Sequence, residues 1–358
     1  MATRSRFATI GTVLGISALL LAGCGAAPEE SSSSNNKSSD YKACIISDEG
    51  GFDDKSFNEN SYKGVTAAKE DYGIEMSKSE SESSADFNSN MNSLVQQNCN
   101  TIVSVGFALA DTTKQAASEN PDINFAIVDD GSIEAENVRP IVYDTAQAAF
   151  QAGYLAAAQS KSGKVATYGG AEMPTVTIFT QGFEQGVKYY NEQKGKDVKV
   201  LGMDSFTGNF TDQTKGKTLT QNFLDQGADV VMPVAGPVGA GTLEAVKEYN
   251  ASHKDAPASV VWVDSDGYET NPDYQDIILT SVQKKMKEAV ESTIKDGIDN
   301  KFTNKKYIGT LQNDGVGLSP FHNFDDKVSA DTKSELDTIK EKIISGKITV
   351  KTDGTPAN

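Results

Sequence analysis

Ala43-Cys44-Ile45-Ile46-Ser47-Asp48-Glu49-Gly50-Gly51 decides how the rest of the chain is read. A short apolar run breaks into acids and paired glycines, and a stretch of helical period follows near 57–71. That is a buried strand feeding a helix through a tight loop. The arrangement repeats down the chain. Apolar runs at 101–105, 125–128, 165–168, 198–201, 230–234, 260–263 and 277–279 alternate with helical stretches near 86–98, 108–118, 145–160, 176–193, 215–226, 240–250 and 283–297. Runs nearly continuous in Val and Ile, separated by helices, predict parallel strands covered on both faces. The predicted class is α/β with doubly wound parallel sheets. The 318 residues beyond Asp40 exceed what one core organises, so two lobes are expected. Their predicted spans are 41–144 plus about 265–300 for the first and 145–264 plus about 301–350 for the second.

The strand ends carry the chemistry. Ile46 leads to Asp48 and Gly50-Gly51, Val105 to Gly106-Phe107, Val128 to Asp129-Asp130, Tyr168 to Gly169-Gly170, Val234 to Gly236 and Gly239, and Val263 to Asp264-Ser265-Asp266. Open parallel sheets bind ligands beyond the carboxyl ends of their strands, where loops converge and helix N-termini offer free N–H groups. Two lobes facing each other across such edges close on a ligand by hinge motion, which describes a capture device. Phe57 beside Asn58 pairs a flat apolar face with an amide, and that pair suits a heterocycle better than a bare sugar. Duller readings stand beside these. Asp54 or Ser56 could cap the helix that follows, and Phe57 could serve only as packing.

The N-terminus places this device. Arg4 and Arg6 precede an apolar run from Phe7 to Ala22 that closes as Leu21-Ala22-Gly23-Cys24. A basic start, a short greasy core and small residues before a cysteine predict an export signal over 1–23. Cleavage would leave Cys24 as the lipidation site, carrying acyl chains such as palmitate. A membrane span fits less well, since Gly11 and Gly15 interrupt a run shorter than the ~20 residues a bilayer needs. Residues 24–40, rich in Ser and Asn, have almost nothing to bury and read as a disordered tether. The predicted location is the extracytoplasmic face of the cell membrane, held by lipid.

The net charge of −17 becomes about −19 once Arg4 and Arg6 leave with the signal. That argues against nucleic acid and against docking on anionic lipid headgroups, because both need a basic face, and it makes a triphosphate an unwelcome ligand. With His253 and His322 as the only histidines and 3 cysteines in all, a His- or Cys-rich metal site has no support. Cys44 and Cys99 could pair in an oxidising compartment, although two separate buried thiols are the expectation. Gly216-Lys217-Thr218 imitates the end of a phosphate-binding loop, but Gly208 stands too far upstream for that spacing.

The segment from Asp48 to Asn58 resembles the signature of the basic membrane protein family. These are nucleoside-binding lipoproteins that serve ABC importers and have a type I periplasmic-binding-protein fold. The likeness continues in order through Val105-Gly106-Phe107, the stretch from Phe125 to Asp129, Phe210-Thr211-Asp212 with Lys215-Gly216-Lys217, the stretch from Gly236 to Gly241, Val263-Asp264-Ser265-Asp266 and the stretch from Thr280 to Lys284. The resemblance implies a role for each matching position. Phe57 and Phe210 would stack on the two faces of the base, and Asp129 would accept N–H bonds from the base edge. Asp264 and Lys284 would hold the ribose hydroxyls, Gly236 would allow backbone contact near the sugar, and Asp48 and Asn58 would complete the first-lobe wall. Asp130, Asp266 and Phe206 rival Asp129, Asp264 and Phe210, and Lys284 could equally be a solvated helix lysine like Lys285 and Lys287.

The function so implied is a monomeric, lipid-anchored substrate-binding protein that passes nucleosides, purine nucleosides favoured, to ABC permease subunits. No cofactor and no catalytic residue is expected. A receptor for a sugar or another heterocycle such as a flavin is the alternative. A surface nucleoside hydrolase is weaker, since the chain lacks a Ser-His pair and the acids from Asp48 to Asp54 lack further identifiable calcium ligands.

Overall fold

The computed structural model describes residues 40–357. The export signal 1–23, the lipidation site Cys24 and all of the tether 24–40 except Asp40 lie outside the described residues. The remainder builds two α/β lobes, each around a six-stranded sheet. The first sheet contains β1 (Lys42–Ile46), β2 (Glu75–Ser79), β3 (Thr101–Val105), β4 (Asn124–Val128), β5 (Val138–Tyr143) and β11 (Tyr307–Gly309), in the order β11-β5-β4-β3-β1-β2. The second contains β6 (Lys164–Gly169), β7 (Lys199–Leu201), β8 (Val230–Val234), β9 (Ser259–Asp264), β10 (Ile278–Lys284) and β12 (Val316–Leu318), in the order β12-β10-β9-β8-β6-β7. All pairings are parallel except the edge pair of β10 with β12. One strand order is used twice, so β4 of the first lobe occupies the place of β9 in the second.

The helices are α1 (Phe57–Tyr72), α2 (Phe87–Gln96), α3 (Ala110–Glu119), α4 (Thr145–Gln159), α5 (Pro174–Lys194), α6 (Gln213–Asp225), α7 (Gly239–Ser252), the single turn α8 (Gly267–Thr270), α9 (Met286–Ile298) and α10 (Ala330–Ile344). Central strands β3 and β8 are buried along their whole length, as helices on both faces require. Edge strand β2 has the half-exposed sequence Glu-Met-Ser-Lys-Ser and leaves no apolar run to detect. β5 hides for another reason, since it carries Arg139 and Pro140. Its ladder to β11 begins only at Ile141, so the N–H that Pro140 lacks interrupts no bond there. Arg139 is buried and satisfied by the Asp296 carboxylate at 2.8 Å and the Thr303 carbonyl at 2.8 Å.

The lobe assignment after residue 264 differs from the sequence expectation. β10 was expected to return to the first lobe, yet it pairs with β9, setting Val282 beside Val263. The chain recrosses only after Lys284, and α9 then packs on α1, β3 and β4. β11 was expected in the second lobe and pairs with β5 in the first. The chain therefore passes between lobes after β5, after β10 and between β11 and β12. Such three-residue crossing strands are too short to carry a hydrophobic signature of their own.

Cys44 and Cys99 are also corrected. They form a disulfide, with Cα atoms 5.9 Å apart. β1 and β3 are neighbours, and Cys44 sits opposite Ile102, which brings the approach to β3 alongside β1. No helix of the described residues is long and apolar enough to cross a membrane.

Candidate functional site

Strand ends of both sheets and the starts of two helices enclose a small cavity of about 70 Å³ between the lobes, at the carboxyl edges where open parallel sheets bind ligands. Asp48, Phe57, Asn58, Asp129, Phe210, Gly236, Asp264 and Lys284 all line it. The loop after β1 supplies Asp48 and Gly50, and the first turn of α1 supplies Phe57 and Asn58. Asp129 follows β4, Asp264 ends β9, and Lys284 ends β10. Phe210 arrives from the loop after β7 and packs against Gly170, where a Cβ would sit 2.4 Å from its ring. A side chain at 170 would push the ring out of the wall.

Asp129 and Asp264 hold equivalent positions in the two lobes and share an uncommon backbone, with φ of 63° and 69°. The left-handed region costs a non-glycine residue strain that tends to be retained at functional sites. Here it turns both carboxylates off the strand axis toward Lys284. The Lys284 ammonium lies 2.5 Å from Asp129 Oδ2 and 3.4 Å from Asp264 Oδ1, and its side chain is 4 % exposed. Phe57 and Phe179 place their ring centroids 5.1 Å from the same nitrogen, and Tyr143 follows at 5.9 Å. Burial alone would push the ammonium down, but the two carboxylates outweigh it and hold it above its ordinary value. Lys284 thus stays charged. Burial pushes Asp129 up, opposed by the attraction of Lys284.

A second polar cluster lies at the start of α1. Asp54 accepts the backbone N–H groups of Ser56, Asn58 and Glu59 at 3.0, 2.7 and 3.0 Å, so it does cap the helix. Asn58 donates through Nδ2 to Asp48 Oδ1 at 2.8 Å and to Asp54 Oδ2 at 3.1 Å. Burial pushes Asp54 up to about 6 in spite of the N–H groups it accepts, and Asp48 is raised for the same reason. Among the described residues the buried oxygens Asn58 Oδ1 and Asp264 Oδ1 have no hydrogen-bond donor. The cavity therefore sets four carboxylates and one lysine between aromatic rings.

The rival residues have other partners. Asp130 accepts from Ser132 N and Oγ at 2.9 and 2.8 Å. Asp266 lies 2.8 Å from His322 Nε2 and also accepts from Tyr268 N. Phe206 covers Gly169 instead of the cavity. Lys284 is the last residue of a buried strand and not a solvated helix lysine. Sequence reasoning passed over Asp54 as a lining residue, along with Phe107, Thr175, Val176, Phe179 and Pro237. Phe107 and Thr175 follow glycine-bearing strand ends and were findable by that rule. Phe179 sits inside α5 and looks like any packing aromatic.

Comparison with known proteins agrees with this architecture. Residues 42–353 match the family described as ABC transporter substrate-binding protein PnrA-like. The chain is 30 % identical over 359 residues to the ABC transporter nucleoside-binding protein BmpA of Lactococcus lactis subsp. cremoris, covering 97 % of this chain and 99 % of that one. It is 32 % identical over 315 residues to basic membrane protein A of Borreliella burgdorferi, covering 86 % and 87 %. Among solved structures, an ABC transporter solute-binding protein from Aeropyrum pernix K1 superposes with a TM-score of 0.79 at 26 % identity, over 87 % of this chain and 94 % of that chain. The family match spans both lobes and every residue that lines the cavity. This chain belongs to the basic membrane protein family of PnrA-like ABC transporter substrate-binding proteins.

Proposed function

We propose that the protein is the extracytoplasmic receptor of an ABC nucleoside importer, anchored through lipid on Cys24, with purine nucleosides as its favoured ligands. One observation carries the reading. A single interlobe cavity sets Phe57 and Phe210 in its wall together with Asp48, Asp129, Asp264 and Lys284. Phenyl rings stack on a base with a gain of about 0.5–1.5 kcal/mol beyond area burial. A carboxylate accepts from both hydroxyls of a cis-diol, and an ammonium donates to the same oxygens. The excess of acids makes a phosphorylated ligand costly, because a buried anion without a cation is strongly penalised. The nucleoside-binding relative in Lactococcus supports the ligand class. Capture and delivery of the intact molecule, without catalysis, accords with the substrate-binding role of the family.

Isothermal titration with adenosine, guanosine, inosine, uridine and cytidine, alongside ribose and adenosine monophosphate, tests the reading. Binding of purine nucleosides most tightly, with little or no heat from ribose or the monophosphate, is the expected result. Absence of binding to every nucleoside would remove the proposal. Substituting Cys24→Ala and finding the protein still membrane-bound would remove the lipid anchor from it.

A further inference from the structure

We propose that residues 350–357 form a strap that closes a side entrance to the interlobe cavity and sets how fast a ligand passes through it. The ligand part of this rests on the receptor reading above. Beside the small cavity lies a larger chamber of about 480 Å³. The two share Phe107, Asp129, Thr175 and Lys284 as walls, so a molecule leaving Asp129 and Lys284 on that side enters the chamber. Gly354, Pro356 and Ala357 add to the chamber's wall. Along this segment Thr352, Gly354 and Pro356 are half-buried, whereas Lys351, Asp353, Thr355 and Ala357 are exposed. One side of the strap therefore faces the protein and the other faces water, which makes it the partition between chamber and solvent.

The strap is fastened to one lobe and only rests on the other. Thr177, Gln181 and Gln185 stand four residues apart and share one face of α5. Gln185 Nε2 donates to the Lys351 carbonyl at 3.0 Å, Asp353 N donates to Gln181 Oε1 at 3.1 Å, and Thr177 Oγ1 donates to Asp353 Oδ1 at 2.7 Å. The segment thus runs back along α5 toward its first turn. There a Cβ on Gly354 would meet the Pro174 carbonyl oxygen at 2.1 Å and the Ile178 Cβ at 2.9 Å. Thr352 N donates to Thr355 Oγ1 at 3.0 Å, closing a turn, and the ring of Pro356 restricts the backbone beyond it. On the first lobe the hold is the bond from Lys306 Nζ to the Ala357 carbonyl at 3.3 Å. Lys306 directly precedes β11 and lies over Gly131, in the loop that begins with Asp129. Opening the lobes therefore breaks the Lys306 bond and leaves the anchors on α5 in place. None of residues 350–357 lines the small cavity. A barrier that does not touch the ligand slows its entry and its exit by the same factor, as a lid on the route does.

Two measurements test the strap. The first needs no ligand. Ile178→Cys places a thiol beneath Gly354, and its reaction with iodoacetamide, located by peptide mass mapping, reports lifting of the segment. Adding Gly354→Val, whose side chain the Pro174 carbonyl blocks, should speed labelling by about 10-fold or more. Adding Lys306→Ala, which removes one hydrogen bond, should speed it about 5-fold. The second measurement is stopped-flow exchange of the tightest binder among adenosine, guanosine, inosine, uridine and cytidine. Association and dissociation should both accelerate about 5-fold in Gly354→Val and in Asp353→Ala, with Kd within about 2-fold of the unmodified protein. Asp353→Ala adds no bulk and is read in parallel in case the valine disturbs folding. Unchanged labelling would show that the segment covers nothing. Faster labelling with unchanged exchange would send the ligand by another route, and faster dissociation alone, with a weaker Kd, would make the segment a clasp between lobes. Each of these three results overturns the proposal. Binding of no nucleoside would remove the receptor reading instead, while the labelling rates still decide whether the strap guards the chamber.

Discussion

Lys284 shows what one residue does when burial and charge oppose each other. Two carboxylates and three aromatic rings surround its ammonium, and removing it would leave Asp129 and Asp264 facing each other without a counter-charge. Breaking a buried ion pair by deleting one partner costs about 3–5 kcal/mol. We therefore predict that Lys284→Met lowers stability by that amount in urea unfolding at pH 7. Part of the loss should return at pH 5, where an acid of the pair takes up a proton. An unchanged urea midpoint would show the ammonium to be dispensable. Asp54 makes the second prediction at this scale. Its folded value of about 6 lies above the ordinary 3.8, so it contributes stability that is full below 3.8 and is lost as pH rises through about 6. Acidification from pH 7 to 5 should thus raise this contribution to the melting temperature of the empty protein while weakening ligand binding. Burial shifts Asp48 and Asp129 in the same upward direction. A ligand affinity that stays flat between pH 7 and 5 would contradict this assignment.

Among the elements, the contact of α4 with α5 depends on absent side chains. A Cβ on Gly186 would lie 1.9 Å from the Phe150 carbonyl oxygen, and one on Gly153 would lie 2.0 Å from that of Phe183. Backbone atoms block both positions, so no rotamer change can relieve the clash. Gly186→Ala should cost at least the ~1–3 kcal/mol typical of overpacking, even though alanine favours a helix in isolation. A denaturant titration checks the sign, and a neutral or stabilising result would mean that the helices separate freely. Gly182 and Gly186 stand four residues apart on one face of α5, a spacing visible in the sequence. Its meaning became legible only with the partner helix in place. The interior strands except β5, where Arg139 and Pro140 break the run, were legible because burial on both faces forces apolar runs rich in Val and Ile. β2, β11 and β12 were not, since an edge or a crossing strand is selected for length and pairing and not for hydrophobicity.

For the whole molecule, the decisive bonds run between lobes. Asn60, on α1 of the first lobe, donates through Nδ2 to the carbonyls of Asp264 at 3.1 Å and Lys284 at 3.0 Å. Ser56 Oγ reaches the Val263 carbonyl at 3.1 Å and Asp264 Oδ2 at 3.2 Å. α1 thus carries cavity-lining residues at its tip and clasps the opposite lobe within the next turn. Since a net hydrogen bond is worth about 1 kcal/mol, Asn60→Ala should release ligand roughly 5- to 10-fold faster while association changes little. Stopped-flow exchange would measure both rates, and an unaltered dissociation rate would place closure elsewhere.

The sequence by itself determined the α/β class and the strand ends that carry acids and glycines, because buried strands and glycine-acid loops leave local patterns, and its resemblance to a family nominated Asp48, Phe57, Asn58, Asp129, Phe210, Gly236, Asp264 and Lys284 as candidates. Tertiary structure alone decided the rest. It placed β10 and β11 in their sheets, joined Cys44 to Cys99, and set one lysine between acids from two lobes. Those outcomes depend on which segments become neighbours after the chain has crossed between lobes, and separation along a sequence holds no record of that proximity.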